Sequence, residues 1–229
     1  MLFPPRCPIC DGILEPGQEY GPHLHCESKI LWIEGPTCFK CGQPISSEHS
    51  EYCYDCNRRR HAFVQGKACF QYDGQMKLGM YRFKYSNRRE YANWYATACL
   101  ERYGDWLMTT GVEAILPVPM YKRKERQRGY NQAEVFAKAL AHELGVPCED
   151  KLVLRTRNTV PQKQLNVKER ENNLKNAFHV TRSIVKYRSI LLVDDIYTTG
   201  STMDALAKEL QKYGITNIFF LTICIGRRI

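Results

Sequence analysis

The residues best placed to do chemistry lie in one stretch, Ile190–Met203, which reads ILLVDDIYTTGSTM. Four apolar residues run into Asp194 and Asp195, and Thr198, Thr199, Gly200, Ser201 and Thr202 follow before a helical pattern begins. An apolar run bounded by turn residues predicts a buried parallel-type strand, here over Ser189–Val193, with a helix over Thr202–Tyr213. Hydroxyls and a glycine at such a strand-to-helix junction bring backbone N–H groups and the helix dipole to bear on an anion. Adjacent carboxylates repel each other unless a cation or a hydroxyl-bearing ligand separates them. Sugar hydroxyls or hydrated Mg²⁺ would do so. The stretch therefore reads as the seat of a sugar phosphate that carries a further phosphate group. The alternative is that the hydroxyls merely cap the helix, with Ser201 and Asp204 at capping-box-like spacing.

Cysteine is the second chemical signal. Seven of the eleven cysteines precede residue 57. They fall in the knuckles Cys7-x-x-Cys10, Cys38-x-x-Cys41 and Cys53-x-x-Cys56, and His23-x-x-Cys26 makes a fourth. Two-residue spacing lets both ligands of a knuckle face one ion, and Zn²⁺ favours closed sets of four S/N ligands in structural sites. One or two centres are expected: Cys38, Cys41, Cys53 and Cys56 in one, and Cys7, Cys10, His23 and Cys26 in the other, with His25 as an alternative to His23. Spacing alone leaves open whether the knuckles pair in this order or interleave. A module this small relies on metal for much of its folding energy. Its aromatics Phe39, Tyr52 and Tyr54 either stack on nucleic-acid bases or pack against the rest of the chain. Cys69, Cys99, Cys148 and Cys224 stand alone and read as buried, inert thiols.

These residues need a scaffold. At 229 residues the chain suits one ordinary domain with a small appendage. The division predicted is a Cys-rich zinc-ribbon-like head over residues 1–60 and an α/β domain over 61–229. The longest apolar run, near Ile218–Ile225, is far too short to span a bilayer, which takes roughly 20 residues. No basic-then-apolar leader opens the sequence, so a cytosolic protein is expected, and paired thiols there point to metal rather than disulfides.

The net charge of +9 is concentrated. Residues 76–188 hold 22 Lys/Arg against 11 Asp/Glu, whereas residues 1–75 hold 7 against 9. Two cationic stretches stand out there. Arg82–Arg89 contains Lys84, Tyr85, Ser86 and Asn87, and asparagine accepts the left-handed region easily. It reads either as a tight pyrophosphate-gripping loop or as a solvated helix end. Lys122–Arg128 carries five cations between a strand, Val112–Met120, and a helix, Asn131–Glu143. It reads as a flexible basic loop beyond a strand's C-terminal end, where ligands of open α/β sheets bind. Such a loop suits a pyrophosphate or, with marked salt dependence, a DNA backbone. A short strand over Cys69–Tyr72, a helix over 92–103 ending near Gly104, and a closing strand over Ile215–Ile225 complete the pattern. Residues 155–178, with Gln162, Gln164, Arg170, Asn173 and Phe178, are long for a connection and read as a lid or hood.

The run from Ile190 to Met203 resembles the phosphoribosyl-pyrophosphate (PRPP) motif of type I phosphoribosyltransferases, whose fold is an open parallel sheet flanked by helices. Almost the whole chain resembles the ComF family of late-competence proteins from naturally transformable bacteria. The matching segments are the ordered knuckles, Cys38–Pro44, Phe83-Lys84-Tyr85, Pro117-Val118-Pro119, Arg126–Gln132 and Asp194–Thr202. The resemblance implies that Asp194 and Asp195 meet the ribose hydroxyls and the Mg²⁺ shell, as the catalytic pair if turnover occurs. Tyr197, Thr198, Thr199, Gly200, Ser201 and Thr202 would hold the 5′-phosphate, Lys84–Asn87 would match the pyrophosphate loop, and Arg126 and Arg128 the flexible loop. Two positions depart from the family pattern: Asn87 where glycine is common, and His23 where cysteine is usual. The implied function is handling of incoming single-stranded DNA on the cytosolic side of the membrane uptake machinery, with a helicase-like competence ATPase (ComFA) as partner. The alternative is an active phosphoribosyltransferase acting on a nucleobase or other amine.

Overall fold

The computed structural model describes residues 4–156, 176–181 and 186–226. Its centre is a four-stranded, all-parallel sheet in the order β1-β6-β5-β2, built from Gln65–Gln71 (β1), Ala114–Pro117 (β2), Ser189–Tyr197 (β5) and Asn217–Ile225 (β6). A separate antiparallel pair joins Val153–Arg155 (β3) to Phe178–Val180 (β4). The unbroken apolar run of β5 is explained by burial on both faces. Leu191 and Val193 join one core, together with Leu221 and Ile223, while Ile190 and Leu192 join the other, together with Ile218 and Phe220.

Helices supply the two covers. Gly74–Tyr85 (α3), Tyr91–Thr109 (α4) and Gln132–Leu144 (α6) bury Met80, Phe83, Tyr95, Cys99, Phe136 and Leu140 against the first face. Ser201–Gln211 (α7) buries Met203, Leu206, Ala207 and Leu210, an i, i+3, i+4, i+7 stripe, against the second. The remaining helices are short: Leu24–Glu27 (α1), Tyr54–Arg58 (α2) and Lys122–Arg128 (α5). No helix among the described residues is long and apolar enough to cross a membrane.

Three elements differ from their sequence reading. α4 runs through Gly104 to Thr109, because Leu107 is buried and the Trp106 indole N–H donates to Gln65 at 2.7 Å. Those contacts outweigh a glycine penalty of about 1 kcal/mol. Lys122–Arg128 is a helix rather than a flexible loop. Lys, Arg, Glu and Gln are all good helix formers, and Gly129, at φ +89°, closes the turn by donating to the Glu125 carbonyl at 2.7 Å. β5 extends past Val193 to Tyr197, so both acids lie within the strand, paired in register with β6 through Tyr197↔Ile225. Of the named hood residues, Gln162, Gln164, Arg170 and Asn173 lie outside the described residues, whereas Phe178 is buried in β4.

The Cys-rich head wraps the edge strand β1. The Ile33 N–H donates to the Cys69 carbonyl, the Gln71 N–H to the Leu31 carbonyl, and the Gly66 N–H to the Lys40 carbonyl. An edge that would otherwise present free backbone groups is thereby covered. Cys7, Ile9, Leu14 and Cys26 enter the first core; Ile33, Cys38 and Cys41 enter the second. Asp11 fastens the first ribbon to α4 by accepting from Tyr91 and pairing with Arg88 at 2.8 Å.

Candidate ligand cavity and metal centres

A cavity of about 810 Å³ opens beyond the C-terminal ends of β2 and β5. Its size is within the range typical of small-molecule sites. β5 delivers Asp194 and Asp195 to it, the following turn delivers Thr198 and Gly200, and the first turn of α7 delivers Ser201 and Thr202. Tyr197 also lines it.

The turn is shaped as an anion cradle. Gly200 caps α7 at φ +77°, and a Cβ there would sit 2.5 Å from the Tyr197 hydroxyl and 3.3 Å from the His61 ring. Only glycine fits. The amides of Thr199 and Gly200 donate to no protein group among the described residues, and the first amides of a helix have no partner within it. Thr199 and Ser201 place their hydroxyl oxygens 3.0 Å apart. The capping-box alternative is not what forms. Asp204 instead turns outward, accepting from the Ala62 amide at 2.8 Å and meeting His61 Nδ1 at 2.7 Å.

The two acids occupy different environments. Asp195 pairs with the Lys84 ammonium at 2.9 Å. Burial alone would lower Lys84, but the charges of Asp195 and then Asp194 outweigh it and leave the ammonium raised. Asp194 accepts the Asp195 amide at 2.8 Å. Burial, followed by the Asp195 charge, pushes its carboxyl up to about 7, against the opposing pull of that amide, Lys84 and Arg155. A carboxyl held this far from its ordinary range suits a functional site, where a cation or hydroxyl-bearing ligand would offset the burial and the Asp195 charge.

The basic residues divide. Lys84, Tyr85 and Arg128 line the cavity, while Ser86 and Asn87 are exposed outside its lining, as is Arg126. Lys84 and Tyr85 belong to the last turn of α3, and Asn87 adopts φ +53° just beyond it. The lining also holds groups that the sequence does not single out as site residues. Arg155 comes from the end of β3, Tyr81 lies one turn before Tyr85 on α3, and Lys124, read only as part of the basic run, comes from α5. Lys124 is lowered by burial and then by the charges of Arg155 and Arg128, so these three cations form one cluster. His61 was also missed. Its ring, 2% exposed, stacks on Phe63 with centroids 4.7 Å apart and links the head's exit to the helix of the cradle. No spacing signal joins His61 to Asp204, since the contact is made only by folding.

Both metal-ligand sets assemble. Within each, one ligand atom per residue lies within 4.8 Å of the others: Cys7, Cys10, His23 and Cys26, and Cys38, Cys41, Cys53 and Cys56. The Cys41 and Cys53 sulfurs are 3.8 Å apart, about the edge of a tetrahedron with Zn–S bonds of ~2.3 Å. His23, rather than His25, joins the first set. Its Nε2 is held by the Ile13 carbonyl at 2.9 Å, leaving Nδ1 beside Cys10 at 3.3 Å, the second-shell arrangement of a ligating imidazole. The Gly42 turn of the second knuckle adopts φ +73° against the Gly66 carbonyl. Phe39 and Tyr54 stay exposed, whereas Tyr52 packs partly against the second core. Cys69, Cys99 and Cys224 are fully buried and Cys148 is half-buried.

Known proteins resemble this chain over most of its length. Residues 1–57 match the double zinc ribbon domain, and residues 131–228 match the phosphoribosyl transferase domain. Competence protein F of Haemophilus influenzae is 31% identical over 218 residues, 93% of each chain. DNA utilization protein YhgH of Escherichia coli K12 is 29% identical over 86% of this chain and 87% of its own. Competence protein ComFC of Bacillus subtilis is 29% identical over 82% of this chain and 77% of its own. With zinc-ribbon ligand sets at the head, a parallel sheet ending in an acid pair and a glycine cradle, and a relative matched almost end to end, the chain belongs to the ComF family of competence proteins.

Proposed function

We propose that this protein serves natural transformation as a cytosolic factor that binds PRPP with Mg²⁺ and handles incoming single-stranded DNA. A helicase-like competence ATPase is the partner this reading implies. The observation that carries the ligand is the Gly200 cradle: unpartnered amides, no room for a side chain, and two acids one strand-end away. The 5′-phosphate would take the amides and hydroxyls of Thr198–Thr202, and the ribose hydroxyls would take the carboxylates. Mg²⁺ would neutralise charge between the acids and the pyrophosphate. The DNA role draws on the family and on the excess of cations in residues 76–188.

The cradle is testable apart from Mg²⁺. Ribose 5-phosphate should raise the unfolding temperature of the native protein, and Gly200→Ala should erase that shift. An equal shift in Gly200→Ala would remove the phosphate from this turn.

A second reading, transfer of the phosphoribosyl group to a nucleobase or other amine, draws on Lys124, Arg128 and Arg155. Their clustered charge would support a departing pyrophosphate. Pyrophosphate release across a panel of bases decides it: turnover with any base promotes the enzyme, and silence with all of them leaves a binding protein.

A further inference from the structure

Two exposed rings and one arginine line the mouth of the cavity, and a cationic helix flanks it. Tyr81 and Tyr85 lie one turn apart on α3 with 62% and 60% of their surfaces exposed, their ring centroids 5.0 Å apart. Tyr91, Tyr95, Tyr130 and Tyr197 are buried, and the other well-exposed rings, Tyr20, Phe39 and Tyr54, belong to the head and lie outside the cavity lining. Tyr81 and Tyr85 both line the cavity, so they are a wall that faces ligand rather than stray surface. The Arg128 guanidinium lies 4.8 Å from the Tyr85 ring centre and donates to its hydroxyl at 3.2 Å; its other arm is held by Gln132 at 2.6 Å. It is thus fixed as a planar cation beside a planar ring.

The flanking helix completes the pattern. Lys122, Arg123 and Arg126 of α5 are exposed and make no ion pair or hydrogen bond among the described residues. Arg89 ties α5 to the rings. It donates to the Gly129 carbonyl at 3.0 Å and to Asn87 at 3.1 Å, holding the turn after Tyr85 against the end of α5. Aromatic faces beside a track of free cations are what unpaired nucleic acid requires, since every base has a face to stack and every phosphate a charge to neutralise. A duplex, whose bases are already stacked, gains nothing from the rings. A free base would leave the cations of α5 unused.

We propose that this rim is the seat of single-stranded DNA: Tyr81 and Tyr85 stack its bases, Lys122, Arg123 and Arg126 take its phosphates, and Arg128 makes the seat continuous with the ligand cavity. This rests on the DNA-handling part of the function proposed above and places the strand on the phosphoribosyltransferase domain rather than on the aromatics of the zinc head.

The test is fluorescence anisotropy with a short labelled oligothymidylate and an abasic strand of equal length. Tyr81→Leu with Tyr85→Leu should weaken oligothymidylate binding roughly tenfold or more while leaving the abasic strand unchanged. Phenylalanine at both positions should restore the affinity. Changing Lys122, Arg123 and Arg126 to glutamine should flatten the slope of log affinity against log salt by about two, at ~0.7 per phosphate. Leucine variants that bind as tightly as the native protein, or lose the abasic strand equally, overturn the rim. Native protein that binds no single strand overturns the rim and the DNA-handling reading together. Native protein whose binding is indifferent to all these changes overturns the rim alone.

Discussion

Replacing Cys41 with serine is expected to destabilise the whole protein, by at least about 3 kcal/mol, and to abolish the stabilisation given by ribose 5-phosphate. Structural zinc contributes directly to folding free energy, and a domain's entire stability is only ~5–15 kcal/mol. The loss should not stay within the head. Cys38 and Cys41 share a core with Phe63, Tyr197, Met203 and Phe220, and Tyr197 stacks on Phe220 with ring centroids 4.7 Å apart. The Lys40 carbonyl is bonded to β1, and the Gly42 turn rests on the Gly66 carbonyl. Beyond Cys56 the chain reaches His61, which holds Asp204 on the helix of the cradle. Zinc per chain, measured by plasma emission on the intact protein, should be two, falling to one in Cys41→Ser. A zinc-depleted variant with an unaltered melting temperature and an unaltered ligand shift would show the head to be independent of the cavity.

The adjacent acids should answer the same substitution with opposite stability changes. Asp194→Asn is expected to stabilise the ligand-free protein by about 2 kcal/mol at pH 8. Its carboxyl is pushed from an ordinary value of 3.8 up to about 7, and each unit of such a shift is worth about 1.4 kcal/mol. The sign follows from linkage. The native state binds this proton more tightly than the unfolded chain does, so stability falls as pH rises from about 4 through 7. The benefit of asparagine should therefore fade below pH 7 and vanish near pH 4. Asp194 is only partly buried by surface exposure, so solvent screens part of the charge, which is why the expectation lies below the full linkage value. Asp195→Asn should instead destabilise by about 2 kcal/mol, because it leaves the buried Lys84 ammonium without its 2.9 Å partner. Asp194 also acts on Lys84, which keeps that cost below the full penalty of an unpaired charge. Both variants should lose Mg²⁺-dependent PRPP binding. Chemical denaturation at pH 5 and 8 checks the signs, and a shared sign at pH 8 would refute the division of roles between the two acids.

Much of this was legible in the chain because the signals are local. C-x-x-C knuckles constrain their own geometry, while which knuckles share a centre is seen only in the fold, where successive knuckles pair. The apolar run into Asp194, with hydroxyls and Gly200 behind it, encodes strand, turn and helix within fifteen residues. The zinc ribbon, parallel sheet and flanking helices follow from these local patterns. What local pattern could not carry was contact between distant segments. Lys84 meets Asp195, His61 meets Asp204, and Arg155 reaches the acids from β3 only once the sheet has formed. Charge density misled at Lys122–Arg128. Five cations suggested a mobile loop, but the same residues have strong helical propensity and a glycine stop. Of the two readings of Arg82–Arg89 the helix end is the one that forms: Lys84 and Tyr85 close α3, because Phe83 is buried between Tyr95 and Tyr130 and holds that last turn to the core.

Calorimetric titration of the zinc-loaded protein with PRPP decides whether the Asp194–Thr202 turn binds PRPP with Mg²⁺. One PRPP per chain, with affinity that rises at least about tenfold on adding Mg²⁺ and is lost in Asp195→Ala, is the predicted result. Absence of binding with Mg²⁺ present, or affinity unchanged in Asp195→Ala, would contradict it.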